Sequence, residues 1–108
     1  MRIREMQIKA WEHAERMGFH DLHKHLEKED YINMMGFRNI GLIVHEVGEA
    51  LDGFRLNDMK NVGEELADIV IRTADVAAIL NIDLEKEIIK KIEKNKSRGK
   101  LHGKKIVR

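Results

Sequence analysis

Hydrophobic residues recur every three to four positions along most of this 108-residue chain, which is the spacing of amphipathic α-helices. The pattern predicts four helices separated by short breaks. They cover residues 1–17, 39–56, 58–80 and 83–96. Asn57 or Asp58 is expected to cap the third helix and Asp83 the fourth. Residues 20–35 are rich in charge, and we expect them to be irregular or weakly helical.

The composition agrees with an all-helical domain. The chain contains no proline and 36% charged residues, a combination that favours long amphipathic helices over a turn-rich β fold. Hydrophobic residues make up 43%, enough for one modest core. We therefore predict a single all-α domain over residues 1–108. It is expected to be a four-helix-type bundle of antiparallel helices with an extended basic tail at residues 97–108.

Several kinds of protein are excluded by what the sequence lacks. Without cysteine the chain can form no disulfide, no thiolate metal site and no cysteine nucleophile. The longest uncharged apolar run, Ile40–Val44, is far shorter than the roughly 20 residues of a membrane span. The first residues lack the apolar stretch of a signal peptide. We expect a cytoplasmic protein with no membrane partner.

Basic residues are concentrated near the C-terminal end. Residues 90–108 contain nine Lys or Arg and one acid, although the whole chain has a net charge of only +1. Such a segment suits a nucleic-acid arm, and it equally suits a polyanion held near the acidic remainder of the chain. Lys91, Lys94 and Arg98 fall on one side of the fourth helix and its extension, where they could neutralise phosphates.

Two pairs of acidic residues lie on consecutive predicted helices. Glu46 and Glu49 are three residues apart on the second helix, and Glu65 and Asp68 have the same spacing on the third. Residues at this spacing share one face of a helix. If the two helices lie side by side in opposite directions, the four carboxylates can face one another across a shared cleft.

The helical wheel supports such a cleft. The third helix is apolar on most of its circumference, and its charges are confined to one stripe. The stripe consists of Glu64, Glu65, Asp68, Arg72 and Asp75. A helix of this kind is buried on more than one side, so we expect the stripe to line a cavity. The second helix has an apolar arc that we expect to face the core. This arc consists of Ile40, Ile43, Val44, Val47, Leu51 and Phe54.

Four carboxylates in one cleft need a way to reduce their repulsion. Two like charges about 4 Å apart repel by roughly 4 kcal/mol at an effective dielectric constant near 20, whereas a whole fold is stable by only roughly 5–15 kcal/mol. The carboxylates must splay into water, hold protons or bind a hard cation. An all-oxygen set of ligands suits Mg²⁺ or Mn²⁺ better than zinc.

The acidic pairs resemble the hallmark of the MazG-like family of all-α nucleoside triphosphate pyrophosphohydrolases, which is E-x-x-E on one helix and E-x-x-D on the next. Here the first motif is Glu46–Glu49 and the second is Glu65–Asp68. Three later segments are similar to those of a subset of the family: Asn81–Glu85, Lys94–Arg98 and His102–Lys105. The resemblance extends from about residue 39 to residue 105.

This resemblance implies Mg²⁺-dependent hydrolysis of a (deoxy)nucleoside triphosphate to the monophosphate and pyrophosphate, with Mn²⁺ able to substitute. A metal-activated water would attack the α-phosphorus, and Glu46 or Glu49 would orient it or accept its proton. The metal ligands would be Glu46, Glu49, Glu65 and Asp68. The phosphates would be bound by Lys91, Lys94, Asn95 and Arg98. Trp11 and Arg72 stand where some relatives contact the base.

Members of the family are typically dimers or tetramers, and the largely apolar third helix is consistent with a homodimer or homotetramer. The alternative interpretation is a non-catalytic helical module that binds nucleic acid or another polyanion through its basic tail. That module would bind with steep salt dependence and would be indifferent to Glu46→Ala. We favour the enzyme, with a nucleoside triphosphate as its ligand and no nucleic-acid partner.

Overall fold

The computed structural model describes residues 2–98 and has four α-helices in that range. Numbered in chain order, they are α1 (Ile3–Arg16), α2 (Lys28–Arg55), α3 (Met59–Ile79) and α4 (Leu84–Arg98). No strand occurs between residues 2 and 98, so the predicted all-α class is confirmed. The first two residues of the predicted tail belong to α4, and residues 99–108 lie outside the described part. None of the four helices is long and apolar enough to cross a bilayer.

The second helix is much longer than the sequence pattern indicates. It begins at Lys28 rather than Asn39, so the prediction of an irregular or weakly helical segment over residues 20–35 is confirmed for residues 20–27 and wrong for residues 28–35. Tertiary packing holds these extra turns in place. Met35 is fully buried, and the Tyr31 hydroxyl donates a hydrogen bond to the backbone carbonyl of His20 at 2.7 Å. Acidic residues in the first turn also favour the helix, because they lie at the positive end of its dipole.

Helices α3 and α4 each begin directly after the capping residue that the sequence predicts. The carboxylates of Asp58 and Asp83 each accept a hydrogen bond, at 3.2 Å, from the backbone N–H three residues later. Asn57 and Asn81 have φ angles of 59° and 58°, in the left-handed region that asparagine tolerates better than most residues. The predicted caps Asp58 and Asp83 are therefore confirmed, and the turns at Asn57 and Asn81 follow the ends of α2 and α3.

The contact between α2 and α3 is the most extensive in the fold. A Cβ added at Gly36, near the start of α2, would lie 3.1 Å from Leu80, just beyond the end of α3. A Cβ added at Gly53, near the end of α2, would lie 3.2 Å from Val62, near the start of α3. The middle parts of the two helices therefore lie side by side. The first helix packs on α3, and α4 makes smaller contacts with α1 and α3.

The hydrophobic core is small and rich in alanine. Its buried members are Ala10, Ala14, Met35, Val62, Ala74, Val76 and Ala77. The buried side of α2 carries polar or small residues, with Asn39, Glu46 and Gly53 at intervals of seven. Most of the predicted apolar arc of α2 points away from the core instead, since Val44 is 67% exposed and Leu51 is 59% exposed. The prediction that this arc faces the core of the chain is wrong.

Candidate active site

Three carboxylates from α2 and α3 meet in the middle of the helix pair. Glu46 comes from α2, and Glu65 and Asp68 come from α3. One oxygen of each lies within 4.8 Å of an oxygen of the other two. Glu46 is only 8% exposed, Glu65 is half-buried and Asp68 is exposed. These three residues, called the acidic cluster below, therefore form a group that is buried at Glu46 and open to solvent at Asp68.

The electrostatics of the acidic cluster favour an added positive charge. The pKa of Glu65 is raised to about 7, first because its carboxyl group shares a proton with the carboxylate of Glu46 and second because it is partly buried. The charges of Asp68 and Glu49 act in the same direction. Glu65 Oε2 is buried and has no hydrogen-bond partner among the described residues. Such an oxygen is uncommon because its lost hydration is not offset, and a cation in the cluster would offset it.

The structure does not bring Glu49 into the acidic cluster. Its Oε1 lies 3.3 Å from Nε2 of His45, and the residue is exposed. Glu46 and Glu49 share one face of α2, but only Glu46 lies on the line of closest approach to α3. The carboxylate of Glu49 therefore stands beside the cluster, in contact with solvent.

Arg72 connects the acidic cluster to a neighbouring cavity. Its Nε lies 3.5 Å from Oε1 of Glu46. It also lines a cavity of about 370 Å³ together with Asp68 and Asp75. Other walls of this cavity include Phe19, Arg38, Asn39, Leu42 and Ile71. The guanidinium offsets part of the negative charge of the cluster and forms part of the wall of the cavity beside it.

A comparison with known protein families agrees with this arrangement. The model of the MazG nucleotide pyrophosphohydrolase domain matches residues 38–102, more than half of the chain. The chain belongs to this family. The matched range contains both acidic pairs, Arg72 and the whole of α4. No curated protein and no solved structure gives a significant match to the chain.

The residues that the family resemblance assigns to phosphate binding lie on α4, the last helix of this MazG domain. Lys91, Lys94, Asn95 and Arg98 are all exposed on α4. The structure joins none of their side chains to the acidic cluster by a hydrogen bond or ion pair within residues 2–98. Their spacing still places Lys91, Lys94 and Arg98 on one side of the helix.

Trp11 and Arg72, the two candidate base contacts, line different cavities. Trp11 borders a cavity of about 470 Å³ together with Gln7 and Asp83. Its ring centroid lies 5.3 Å from that of His20, so part of its surface is used in packing. The cavity lined by Arg72 contains Asp68 of the acidic cluster. Arg72 is therefore better placed than Trp11 to contact a ligand held at the cluster.

The sequence did not reveal a buried histidine next to the Arg72 cavity. His20 is 2% exposed, with Nδ1 2.8 Å from Oε1 of Glu15 and Nε2 2.9 Å from Oδ1 of Asp75. Each ring nitrogen of His20 is therefore within hydrogen-bond distance of a carboxylate oxygen. Hydrogen bonds from His20 and Lys24 lower the pKa of Glu15, whereas burial raises the pKa of Asp75. The one feature of the sequence that pointed to this contact was Asp75, which lies two turns after Asp68 on the charged stripe of α3.

Proposed function

We propose that this MazG domain hydrolyses a (deoxy)nucleoside triphosphate to the monophosphate and pyrophosphate, with a divalent cation as cofactor. The observation that carries the proposal is the convergence of Glu46, Glu65 and Asp68 at the edge of a cavity. Membership of the MazG nucleotide pyrophosphohydrolase family supports the same class of reaction.

The residues of the acidic cluster fit Mg²⁺ or Mn²⁺. They offer carboxylate oxygens, which hard cations prefer, and the buried Oε2 of Glu65 has no partner among the described residues. Glu46, Glu65 and Asp68 would hold the cation. Glu49, which the family pattern gives as a fourth ligand, lies beside the cluster and is assigned to the attacking water instead. When bound, such a cation polarises phosphate oxygens and makes water more acidic.

Glu46 and Glu49 are proposed to act on the attacking water. Glu46 is held in one position by burial and by Arg72, so it can orient a water molecule. Glu49 is exposed beside the cluster, so it can accept the proton of that water and return it to solvent. The water oxygen forms a bond to the α-phosphorus while the bond from that phosphorus to the bridging oxygen breaks. Pyrophosphate then leaves with the electron pair.

The nucleoside is proposed to occupy the cavity of about 370 Å³ beside the cluster. This volume lies within the range of small-molecule sites, about 300–1,000 Å³. Phe19 offers an apolar wall, and Asn39 and Asp75 offer polar atoms that could read a base. The basic side of α4 is proposed to bind the outer phosphates through Lys91, Lys94, Asn95 and Arg98.

A panel of common and modified nucleoside triphosphates, incubated with the protein and Mg²⁺, tests the proposal. Pyrophosphate and orthophosphate are both measured. We expect pyrophosphate and nucleoside monophosphate in equal amounts from at least one substrate. Asp68→Asn is expected to lower the rate by more than about 100-fold. The matched control is Asp52→Asn, an exposed α2 carboxylate paired with Arg55, which should keep full activity.

Two results would contradict the proposal. Release of orthophosphate in place of pyrophosphate would indicate attack at a different phosphorus. No turnover of any substrate, combined with salt-dependent binding of nucleic acid that survives Glu46→Ala, would favour the non-catalytic module.

A further inference from the structure

Two buried polar side chains line the cavity of about 370 Å³ at a distance from the acidic cluster. Asn39 comes from α2 and Asp75 comes from α3, and each is only 7% exposed. Asn39 lies seven residues before Glu46, and Asp75 lies seven residues after Asp68. Because seven residues make almost two full turns, each of these pairs shares one side of its helix. Asn39 and Asp75 therefore face the same space as the acidic cluster.

Asn39 and Asp75 also lie at the same level of the two helices. The close approaches at Gly36 and Gly53 fix how the residues of α2 and α3 align, and this alignment places Asn39 opposite the turn of α3 that contains Asp75. Seven residues of helix rise by about 10 Å, so both side chains lie about 10 Å along the pair from the acidic cluster. The α-phosphate of a nucleotide and the outer edge of its base are separated by a similar length. A nucleotide whose phosphate lies at the cluster thus places its base between Asn39 and Asp75.

Asp75 presents a fixed hydrogen-bond acceptor to this cavity. Its Oδ1 lies 2.9 Å from Nε2 of His20, whose Nδ1 lies 2.8 Å from Oε1 of Glu15. The ring of His20 is almost completely buried, so it holds the carboxylate of Asp75 in one orientation. The second oxygen, Oδ2, has no hydrogen-bond partner within residues 2–98 and is not fully buried, so it opens on the cavity that Asp75 lines.

The side-chain amide of Asn39 presents a second acceptor. Its Nδ2 donates a hydrogen bond at 2.7 Å to the backbone carbonyl of Met35, one turn earlier in α2. This bond fixes the orientation of the amide, because the carbonyl would repel Oδ1 in the same place. Oδ1 has no partner in the part of the chain that the structure describes, and it too is open to the cavity. The α2 wall and the α3 wall therefore offer one free acceptor each.

Two acceptors select a base by the hydrogens on its edge. The exocyclic amino group of cytosine or adenine has two hydrogens, one for each oxygen. Uracil and hypoxanthine have a carbonyl oxygen at the same position, which leaves acceptors facing one another with no hydrogen between them. We propose that Asn39 and Asp75 are specificity-determining residues that select nucleotides whose base carries an exocyclic amino group. The inference rests on the proposed function, because that function places the nucleoside in this cavity.

The remaining walls of the cavity suit the faces of a base. Leu42 of α2, Ile71 of α3 and Phe19, which lies between α1 and α2, line the same space. Contacts with aromatic and apolar side chains stabilise any base, because every base has an apolar face. They do not distinguish an amino group from a carbonyl oxygen. The choice between bases is therefore made by Asn39 and Asp75.

His20 is a positioning residue, since it acts on the base only through Asp75. Two substitutions separate this role from a purely structural one. His20→Gln keeps an amide N–H near the position of Nε2, which faces Asp75, whereas His20→Asn keeps one near the position of Nδ1, which faces Glu15. Each variant loses one of the two contacts. His20→Gln should keep the preference for amino-bearing bases, and His20→Asn should lose it.

Binding of nucleoside monophosphates in Mg²⁺, measured by isothermal titration calorimetry, tests the proposal without turnover. The probes are two matched pairs, deoxycytidine with deoxyuridine monophosphate and deoxyadenosine with deoxyinosine monophosphate. In at least one pair, the wild type should bind the amino-bearing member at least about tenfold more tightly. Asp75→Asn should cancel or reverse this preference, because the new amide places a donor at the position of Oδ2. The matched control Asp52→Asn, an exposed carboxylate paired with Arg55, should leave the preference unchanged.

Equal binding within both pairs, or no binding of any of the four monophosphates, would overturn the proposal. A preference that survives Asp75→Asn, or that His20→Gln and His20→Asn change alike, would also overturn it. Circular dichroism checks that each variant is folded, and the preference of the wild type decides the matter even without a folded Asp75→Asn. A protein that selects amino-bearing monophosphates but releases no pyrophosphate from any triphosphate would contradict the proposed reaction and not the choice of base.

Discussion

The carboxylates in and beside the acidic cluster differ in their exposure to solvent, and this difference indicates a different role for each of them. Glu46 is buried and paired with Arg72, so it is fixed in one position. Glu65 is half-buried with one unpartnered oxygen, so it has most to gain from a cation. Glu49 is exposed beside the cluster, where a carboxylate can exchange protons with solvent.

The raised pKa of Glu65 predicts a particular dependence of stability on pH. The pKa is about 7 in the folded chain and 4.5 in the unfolded chain, so folding takes up a proton between these values. This contribution is fully present below pH 4.5 and is lost as the pH rises through about 7. Without metal, Glu65→Gln should therefore gain stability relative to the wild type as the pH rises from about 4.5 to 7.5. Paired urea denaturation curves in EDTA measure the difference, and a constant difference would contradict the assignment.

Glu49→Gln should separate proton transfer from metal binding. A carboxylate that only accepts a proton contributes about 100-fold to 10,000-fold to the rate, so kcat should fall by at least about 100-fold. Affinity for Mn²⁺ should change by less than about threefold, because the cluster of Glu46, Glu65 and Asp68 is intact. Turnover and Mn²⁺ titration are measured on the same preparation. A parallel loss of Mn²⁺ affinity would show instead that Glu49 is a metal ligand.

At the scale of helices, the sequence predicted the presence of the helices and most of their ends better than it predicted which side of a helix faces the core. Asp58 and Asp83 identify the starts of α3 and α4 because capping depends on local hydrogen bonds. The start of α2 could not be found in this way, because Met35 and Tyr31 hold its first turns through contacts with distant residues. The apolar arc of α2 was assigned to the core because hydrophobicity alone does not show which side of a helix packs against its own chain, and Val44 and Leu51 are exposed.

The His20 contacts predict a large effect of one substitution on stability. His20→Ala leaves Asp75 buried without its partner and removes a fully buried ring, so the free energy of unfolding should fall by about 3 kcal/mol. His25→Ala, at an exposed position, should change it by less than about 0.5 kcal/mol. Urea denaturation at pH 6 compares the two variants. Equal stabilities would show that the carboxylates around His20 do not hold the connection between α1 and α2.

At the scale of the whole molecule, the positions of charge and apolar surface divide the α2–α3 pair into two sides. The spacing of two acidic pairs on consecutive helices predicted that four carboxylates can face one another, because residues three apart share a face. Three of the four, Glu46, Glu65 and Asp68, meet in the structure. The separate position of Glu49 depends on the rotation of α2, which packing with α3 decides. The contact of His20 with Asp75 depends on the path of the connection after α1, so residue spacing contains no information about it.

The binding of Mn²⁺, followed by electron paramagnetic resonance, tests most directly whether the acidic cluster is a cation site. We expect the wild type to bind Mn²⁺ and Mg²⁺ to displace it. Glu65→Gln and Asp68→Asn should each weaken binding by at least about 100-fold, while Asp52→Asn should leave it unchanged. Equal binding by all four proteins, or no binding by the wild type, would contradict the account.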